Sequence, residues 1–294
     1  MEVLMHRRTL LASLAAAPLI AGPARAGSAF VQTRDGQQLF YRDAGTGKPV
    51  VFVHGWTLSS AIWRGQLEWL SNKGLRTVAY DRRGHGQSTK PASGYDYDTL
   101  TGDLAAVLDR LDLRDVTLVG HSMGGGEVVR YLARHGTARI ARVLLIAPTT
   151  PFALKTADNP EGIDKAIYDK FVAALQADRP AYFRAGIPAF LGKNADPETV
   201  DWVLAIAAQA TVQAEVECLR SFSETDFRPD LKAVTVPTRI VYGTADSPIA
   251  PVNARRTHEG IAGSRLEIYE GAPHALFVTD RDRFNNELLE FTRS

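Results

Sequence analysis

Gly120-His121-Ser122-Met123-Gly124 sits between an apolar run, Val116 to Val119, and a helix-like segment, Glu127 to Arg134. Strand, G-x-S-x-G, helix is the setting of a nucleophilic serine. A chain that turns sharply from strand into helix crowds its backbone, so the outer glycines meet a steric need. The serine at the apex is held in strained geometry with its hydroxyl presented, and the N–H groups after it open a helix N-terminus suited to negative charge. A hydroxyl is a weak nucleophile, so the chain must also supply a base and an acid to orient it.

In an open α/β sheet, functional groups gather beyond the carboxyl ends of the strands. This selects Asp246, after Ile240 to Gly243, and His274, after Leu266 to Tyr269 and the loop Glu270 to Pro273. The strand ending Ile146-Ala147-Pro148-Thr149 offers no rival carboxylate. Among the other histidines, His54 reads as loop support, His85 as part of a Gly-rich turn, and His135 and His258 as helix-end residues. His121 adjoins Ser122 and is expected to point away from its hydroxyl. The reading is Ser122 as nucleophile, His274 as base and Asp246 as the acid that orients it. The base must be neutral, so activity is expected to fall below the unperturbed histidine value of about 6.5. Two N–H groups are needed for the developing oxyanion: Met123, after the serine, and Trp56, in His54-Gly55-Trp56-Thr57.

Positioning these groups takes a particular scaffold. Ala29 to Val31 and Gln38 to Tyr41, around Arg34-Asp35-Gly36, read as a hairpin. Buried-type strands follow at 50–53, 77–80, 116–119, 143–146, 239–242 and 266–269. Helical stretches at 61–70, 100–111, 127–134, 251–258 and 282–291 alternate with them. The pattern predicts an α/β fold with a mostly parallel, eight-stranded sheet flanked by helices. From Thr149 to about Val234 there is no strand, only helical material such as 163–175 and 200–219, punctuated by prolines. That interval reads as a helical cap inserted between the sixth and seventh strands of a single domain spanning 27–294. Phe152, Phe171, Phe183, Phe190, Trp202, Phe222 and Phe227 fall in or beside it; most are expected in its core, with one or two facing substrate.

The 294 residues, 45% hydrophobic and 23% charged, are ordinary for a soluble globular chain. A net charge of +1 without Lys/Arg clusters gives no case for nucleic acid. His6-Arg7-Arg8, the apolar run Leu10 to Ile20 and Ala24-Arg25-Ala26 read as a twin-arginine export signal over residues 1–26. The mature chain is then expected in the periplasm with no membrane anchor. The single cysteine, Cys218, excludes an internal disulfide and reads as a buried apolar residue. No H-E-x-x-H, cysteine cluster or phosphate loop is present, and no metal or other cofactor is expected.

With these residues in place, the chain resembles the α/β-hydrolases, and specifically the cofactor-free bacterial haloperoxidases and aryl esterases. The resemblance covers nearly everything after the signal. It rests on His54-Gly55-Trp56, on Tyr80-Asp81-Arg82-Arg83-Gly84-His85-Gly86-Gln87-Ser88 and on Gly120 to Gly126. It continues in Glu224-Thr225-Asp226-Phe227-Arg228-Pro229-Asp230 and Gly271-Ala272-Pro273-His274. It implies a metal-free Ser-Asp-His enzyme acting on small, often aromatic, esters, commonly as a homo-oligomer. It also implies peracid formation from carboxylic acid and peroxide. There are departures: Thr57 stands where peracid-forming members often carry proline, His121 where an aromatic is common, and an export signal is unusual. Three readings stay open: an esterase, a perhydrolase, and a non-catalytic periplasmic binding protein on the same scaffold. Carbon–carbon bond hydrolysis by the same triad is open as well, whereas serine at 122 argues against chemistry that needs an aspartate nucleophile.

Overall fold

Strands that are apolar along their whole length need both faces covered. The structure, a computed structural model describing residues 27–246 and 251–294, supplies that cover. The export signal expected over 1–26 lies outside the described residues.

The strands are β1 (Gly27–Gln32), β2 (Gln38–Ala44), β3 (Pro49–Val53), β4 (Arg76–Tyr80), β5 (Val116–His121), β6 (Ile140–Ile146), β7 (Thr238–Gly243) and β8 (Arg265–Tyr269). They form one eight-stranded sheet in the order β1-β2-β4-β3-β5-β6-β7-β8. β1 and β2 join as antiparallel strands, and all later pairings are parallel. The helices are α1 (Arg64–Ser71), α2 (Tyr97–Arg110), α3 (Met123–His135), α4 (Lys165–Ala177), α5 (Arg179–Leu191), α6 (Pro197–Ala207), α7 (Val212–Glu224), α8 (Pro251–Gly260), α9 (Leu276–Thr279) and α10 (Arg281–Arg293).

Alternation along the strands divides the core in two. Val51, Val53, Val78 and Leu118 pack on one face against Leu100 and Leu104 of α2 and Val128 and Leu132 of α3. Val50, Phe52, Ala79 and Val119 pack on the other against Leu67 and Leu70 of α1 and Phe284 and Leu288 of α10. Burial of each of these Val, Leu and Phe side chains contributes about 1.5–3 kcal/mol. After β3 the chain moves outward to β4, then crosses back to lay β5 on the other side of β3. The carboxyl ends of β3 and β5 therefore flank a topological switch point, the usual place for a ligand in such sheets.

Four helices, α4 to α7, lie between β6 and β7. Two details differ from the sequence reading. The stretch 200–219 is two helices: α6 ends at Ala207, and Thr211 caps the start of α7, its hydroxyl accepting from the Ala214 N–H at 3.1 Å. The intervening Ala208-Gln209-Ala210 carries neither glycine nor proline to mark the break. The prolines at 180 and 188 do not interrupt structure either; both lie within α5. Pro180 occupies the first turn, where its missing N–H costs nothing, and Asp178 caps that end by accepting from Ala181 N–H.

Candidate active site

The elbow is tight because two glycines let three backbones meet. A Cβ on Gly120 would lie 2.6 Å from the Gly124 carbonyl oxygen, and one on Gly124 would lie 2.4 Å from that of Val53. α3 is thereby drawn against the ends of β5 and β3. Between them Ser122 takes φ 55° and ψ −119°, a conformation that costs a non-glycine residue about 1–3 kcal/mol. Hydrogen bonds hold it there: Ser122 N–H donates to Ile146 at 2.8 Å, and its carbonyl accepts from Gly125 at 2.9 Å and Thr149 at 3.2 Å.

His274 enters from the loop between β8 and α9. Its Nδ1 is 2.8 Å from Oδ2 of Asp246, whose side chain is fully buried. An ionised carboxylate only accepts, so Nδ1 carries the proton and Nε2 presents a lone pair. The loop is tied to the inserted helices. His274 and Ala275 N–H donate to the Ala189 and Phe190 carbonyls at 3.3 and 2.9 Å, using acceptors that the end of a helix leaves free.

Ser122 and His274 both line a cavity of about 480 Å³. Its remaining wall is mostly apolar and comes from all four inserted helices, with Phe171, Phe183, Phe190, Val203 and Phe222 among the contributors. Four of the seven aromatics singled out from sequence line the space: Phe171, Phe183, Phe190 and Phe222. Phe227 instead meets Tyr97 edge-on at 4.8 Å, and Trp202 lies under the Arg64 guanidinium.

Met123 N–H is the first of α3 and has no intrahelical partner. Trp56 lies in a turn closed by a 3.4 Å bond from Leu58 N–H to the Gly55 carbonyl. Its indole N–H donates to the Glu215 carbonyl of α7 at 2.8 Å. Thr57 completes the turn with φ 64°. Proline fixes φ near −65°, so the residue that peracid-forming members often place there does not fit this loop conformation.

His121 makes no hydrogen bond to the Ser122 hydroxyl and packs against His274 instead. Its Nε2 is 3.2 Å from the His274 carbonyl, and the two ring centroids are 4.6 Å apart. Alternation turns residue 121 to the face opposite its neighbours, but the loop bearing His274 wraps over that face. Burial, and then the neighbouring His274, hold the His121 pKa well below the usual histidine value. His85 is a turn residue, Nδ1 2.9 Å from the Arg83 carbonyl, and burial beside Arg82 pushes its pKa down to about 3.

The two long stretches without evident chemistry are structural. Arg82 pairs with Glu127 at 2.8 Å, both side chains fully buried, and Arg83 bridges Asp103 and Asp35. Asp226 binds Arg228, Phe227 fills the core, and Asp230 meets Arg130 of α3. Among the described residues, no group of three or more His, Cys, Asp or Glu side chains is placed to hold a metal ion. Nor is any described helix long and apolar enough to cross a membrane.

Residues 48–280 match the family model described as the alpha/beta hydrolase fold. The chain is 40% identical over 270 residues to a non-heme chloroperoxidase of Kitasatospora aureofaciens, covering 88% of this chain and 97% of that one. It is 35% identical to a bifunctional esterase/perhydrolase of Acinetobacter calcoaceticus, covering 90% and 99%. In three dimensions it resembles a bromoperoxidase from Bacillus anthracis (TM-score 0.88, 38% identity, 91% of this chain and 100% of that one). It is similar also to an esterase from Exiguobacterium antarcticum (TM-score 0.88, 32% identity, 90% and 99%).

Proposed function

The chain belongs to the α/β-hydrolase fold family, and on that premise we propose that it is a serine esterase for small carboxylic esters. The reading is carried by one arrangement: a histidine whose Nδ1 is 2.8 Å from a buried aspartate, facing the same cavity as a serine on a strained elbow. Ser122 Oγ attacks the ester carbonyl as His274 Nε2 takes its proton, and the tetrahedral oxyanion is held by the Met123 and Trp56 N–H groups. Asp246 stabilises the imidazolium. The proton then passes to the alkoxide, which leaves as the alcohol, and Ser122 keeps the acyl group. Water attacks in the second half, releasing the carboxylic acid and the serine hydroxyl.

The apolar wall favours an uncharged acyl or aryl group, since burying a charge there without a partner is costly. Perhydrolysis is the second reading, supported by the relative that carries both activities in its name. In it hydrogen peroxide replaces water on the acyl-enzyme, and the product is a peracid. A fluorophosphonate probe tests the common intermediate: peptide mapping should find one adduct, on Ser122. An unlabelled enzyme would favour a binding protein. Turnover of aryl acetates against acetate plus peroxide then ranks the two reactions.

A further inference from the structure

We infer that His54 is a positioning residue that aims the Trp56 N–H, with buried Arg82 and Glu127 as its anchor. The inference rests on the reading of that N–H as an oxyanion donor. His54 is 1% exposed, and no step above uses it.

Three contacts define its state. Nδ1 lies 2.8 Å from the Gly55 carbonyl oxygen, Nε2 lies 2.9 Å from the Arg82 main-chain nitrogen, and Nδ1 is also 3.2 Å from an Arg82 guanidinium nitrogen. A main-chain N–H only donates and a carbonyl only accepts, while a neutral imidazole has one N–H and one lone pair. A proton on Nδ1 satisfies both shorter contacts. A proton on Nε2 would oppose N–H to N–H and lone pair to carbonyl. The ring is therefore the Nδ1–H tautomer, and the guanidinium contact goes unused. Burial and the Arg82 charge hold its pKa well below the usual value, so it stays neutral.

The consequence follows from peptide geometry. The Gly55 carbonyl and the Trp56 N–H belong to one planar unit and point in opposite directions. A hydrogen bond that fixes the carbonyl also fixes the N–H. The other bond on that carbonyl is the long turn contact from Leu58, at 3.4 Å. The same unit passes beside the nucleophile: a Cβ on Gly55 would lie 3.3 Å from Ser122 Cβ. His54 is anchored in turn, its carbonyl accepting from the Arg82 guanidinium at 2.8 Å. Glu127 neutralises that guanidinium at 2.8 Å.

Two measurements test this. In uniformly ¹⁵N-labelled wild type, the ring assigned to residue 54 by its contact with the Arg82 main-chain N–H, 2.9 Å from Nε2, should be neutral and protonated on Nδ1 from pH 5 to 9. An Nε2-protonated or titrating ring overturns the inference, whether or not any variant folds. In the variants, removal of one oxyanion donor costs about 10²–10³-fold in turnover, and partial misalignment a part of that. His54→Leu should lose about tenfold or more in kcat/KM for an aryl acetate, toward that ceiling. It should lose the same factor in affinity for a boronic acid that forms a tetrahedral adduct. His54→Asn, whose amide N–H can replace Nδ1–H, should recover most of both. A folded His54→Leu enzyme that is merely less heat-stable, with analogue affinity within twofold of wild type, contradicts the inference. Full turnover by Ser122→Ala would instead remove the reading beneath it.

Discussion

Glu127→Gln removes one charge from the most deeply buried ion pair among the described residues while keeping the side chain's shape. Glu127 accepts from Arg82 Nε at 2.9 Å and pairs with the guanidinium at 2.8 Å, and both side chains are fully buried. It also accepts from the Tyr80 hydroxyl, which burial, with Glu127 next, pushes well above the ordinary phenol range and so keeps protonated. The glutamine can still accept through its amide oxygen, and Arg82 keeps the His54 carbonyl at 2.8 Å. The guanidinium charge has then lost its counter-ion. Breaking such a pair from one side costs about 3–5 kcal/mol. At about 2 °C per kcal/mol, the figure for larger domains, the melting temperature should fall by about 6–10 °C. Differential scanning calorimetry checks this, with the urea midpoint as a second probe. A fall of less than about 2 °C, or about 1 kcal/mol, would refute the assignment of a buried, unscreened pair.

Other expectations follow from the same geometry. His85 is neutral when folded, with its pKa pushed down to about 3, and takes up a proton on unfolding at about 6.5. The unfolded chain thus binds more protons between those values, so stability falls as pH drops through that window by up to about 1.4 kcal/mol per unit. Melting temperatures of wild type and His85→Asn between pH 7.5 and 5 should show the shallower slope in the variant. Gly186 lines the cavity with nothing within 4 Å of where its Cβ would be. Gly186→Phe should therefore fold, lower kcat/KM for bulky esters about tenfold, equivalent to 1.4 kcal/mol, and leave acetates within about threefold. Thr57 has φ 64°, so Thr57→Gly should retain esterase activity. Thr57→Pro should lose it or rearrange the loop, which steady-state kinetics and circular dichroism would distinguish.

Much of this arrangement was legible in the sequence because local signals carried it. Unbroken apolar strands, a glycine-flanked serine and the rule of carboxyl ends pointed to Ser122, Asp246 and His274 as candidates. The structure places His274 against Asp246 and sets His274 and Ser122 on one cavity. What escaped has no local signature. Arg82 finds Glu127 across 45 positions, and Trp56 finds Glu215 across 159. α5 was hidden because Pro180 and Pro188 read as breaks, although one sits in a first turn and the other is carried inside the helix. The first turn of α3 was hidden by Gly124, Gly125 and Gly126, whose helix propensity is poor; bare backbone lets Gly124 approach the end of β3, Gly125 approach Pro148 and Gly126 approach Phe227.

The central claim is that the hydroxyl of Ser122 becomes acylated during turnover. Rapid-quench mixing with para-nitrophenyl acetate, followed by mass mapping, addresses it directly. The account predicts a burst of nitrophenol stoichiometric with enzyme, a transient acetyl group on Ser122, and neither in Ser122→Ala. Undiminished turnover by Ser122→Ala, or an acyl group on another residue, would contradict it.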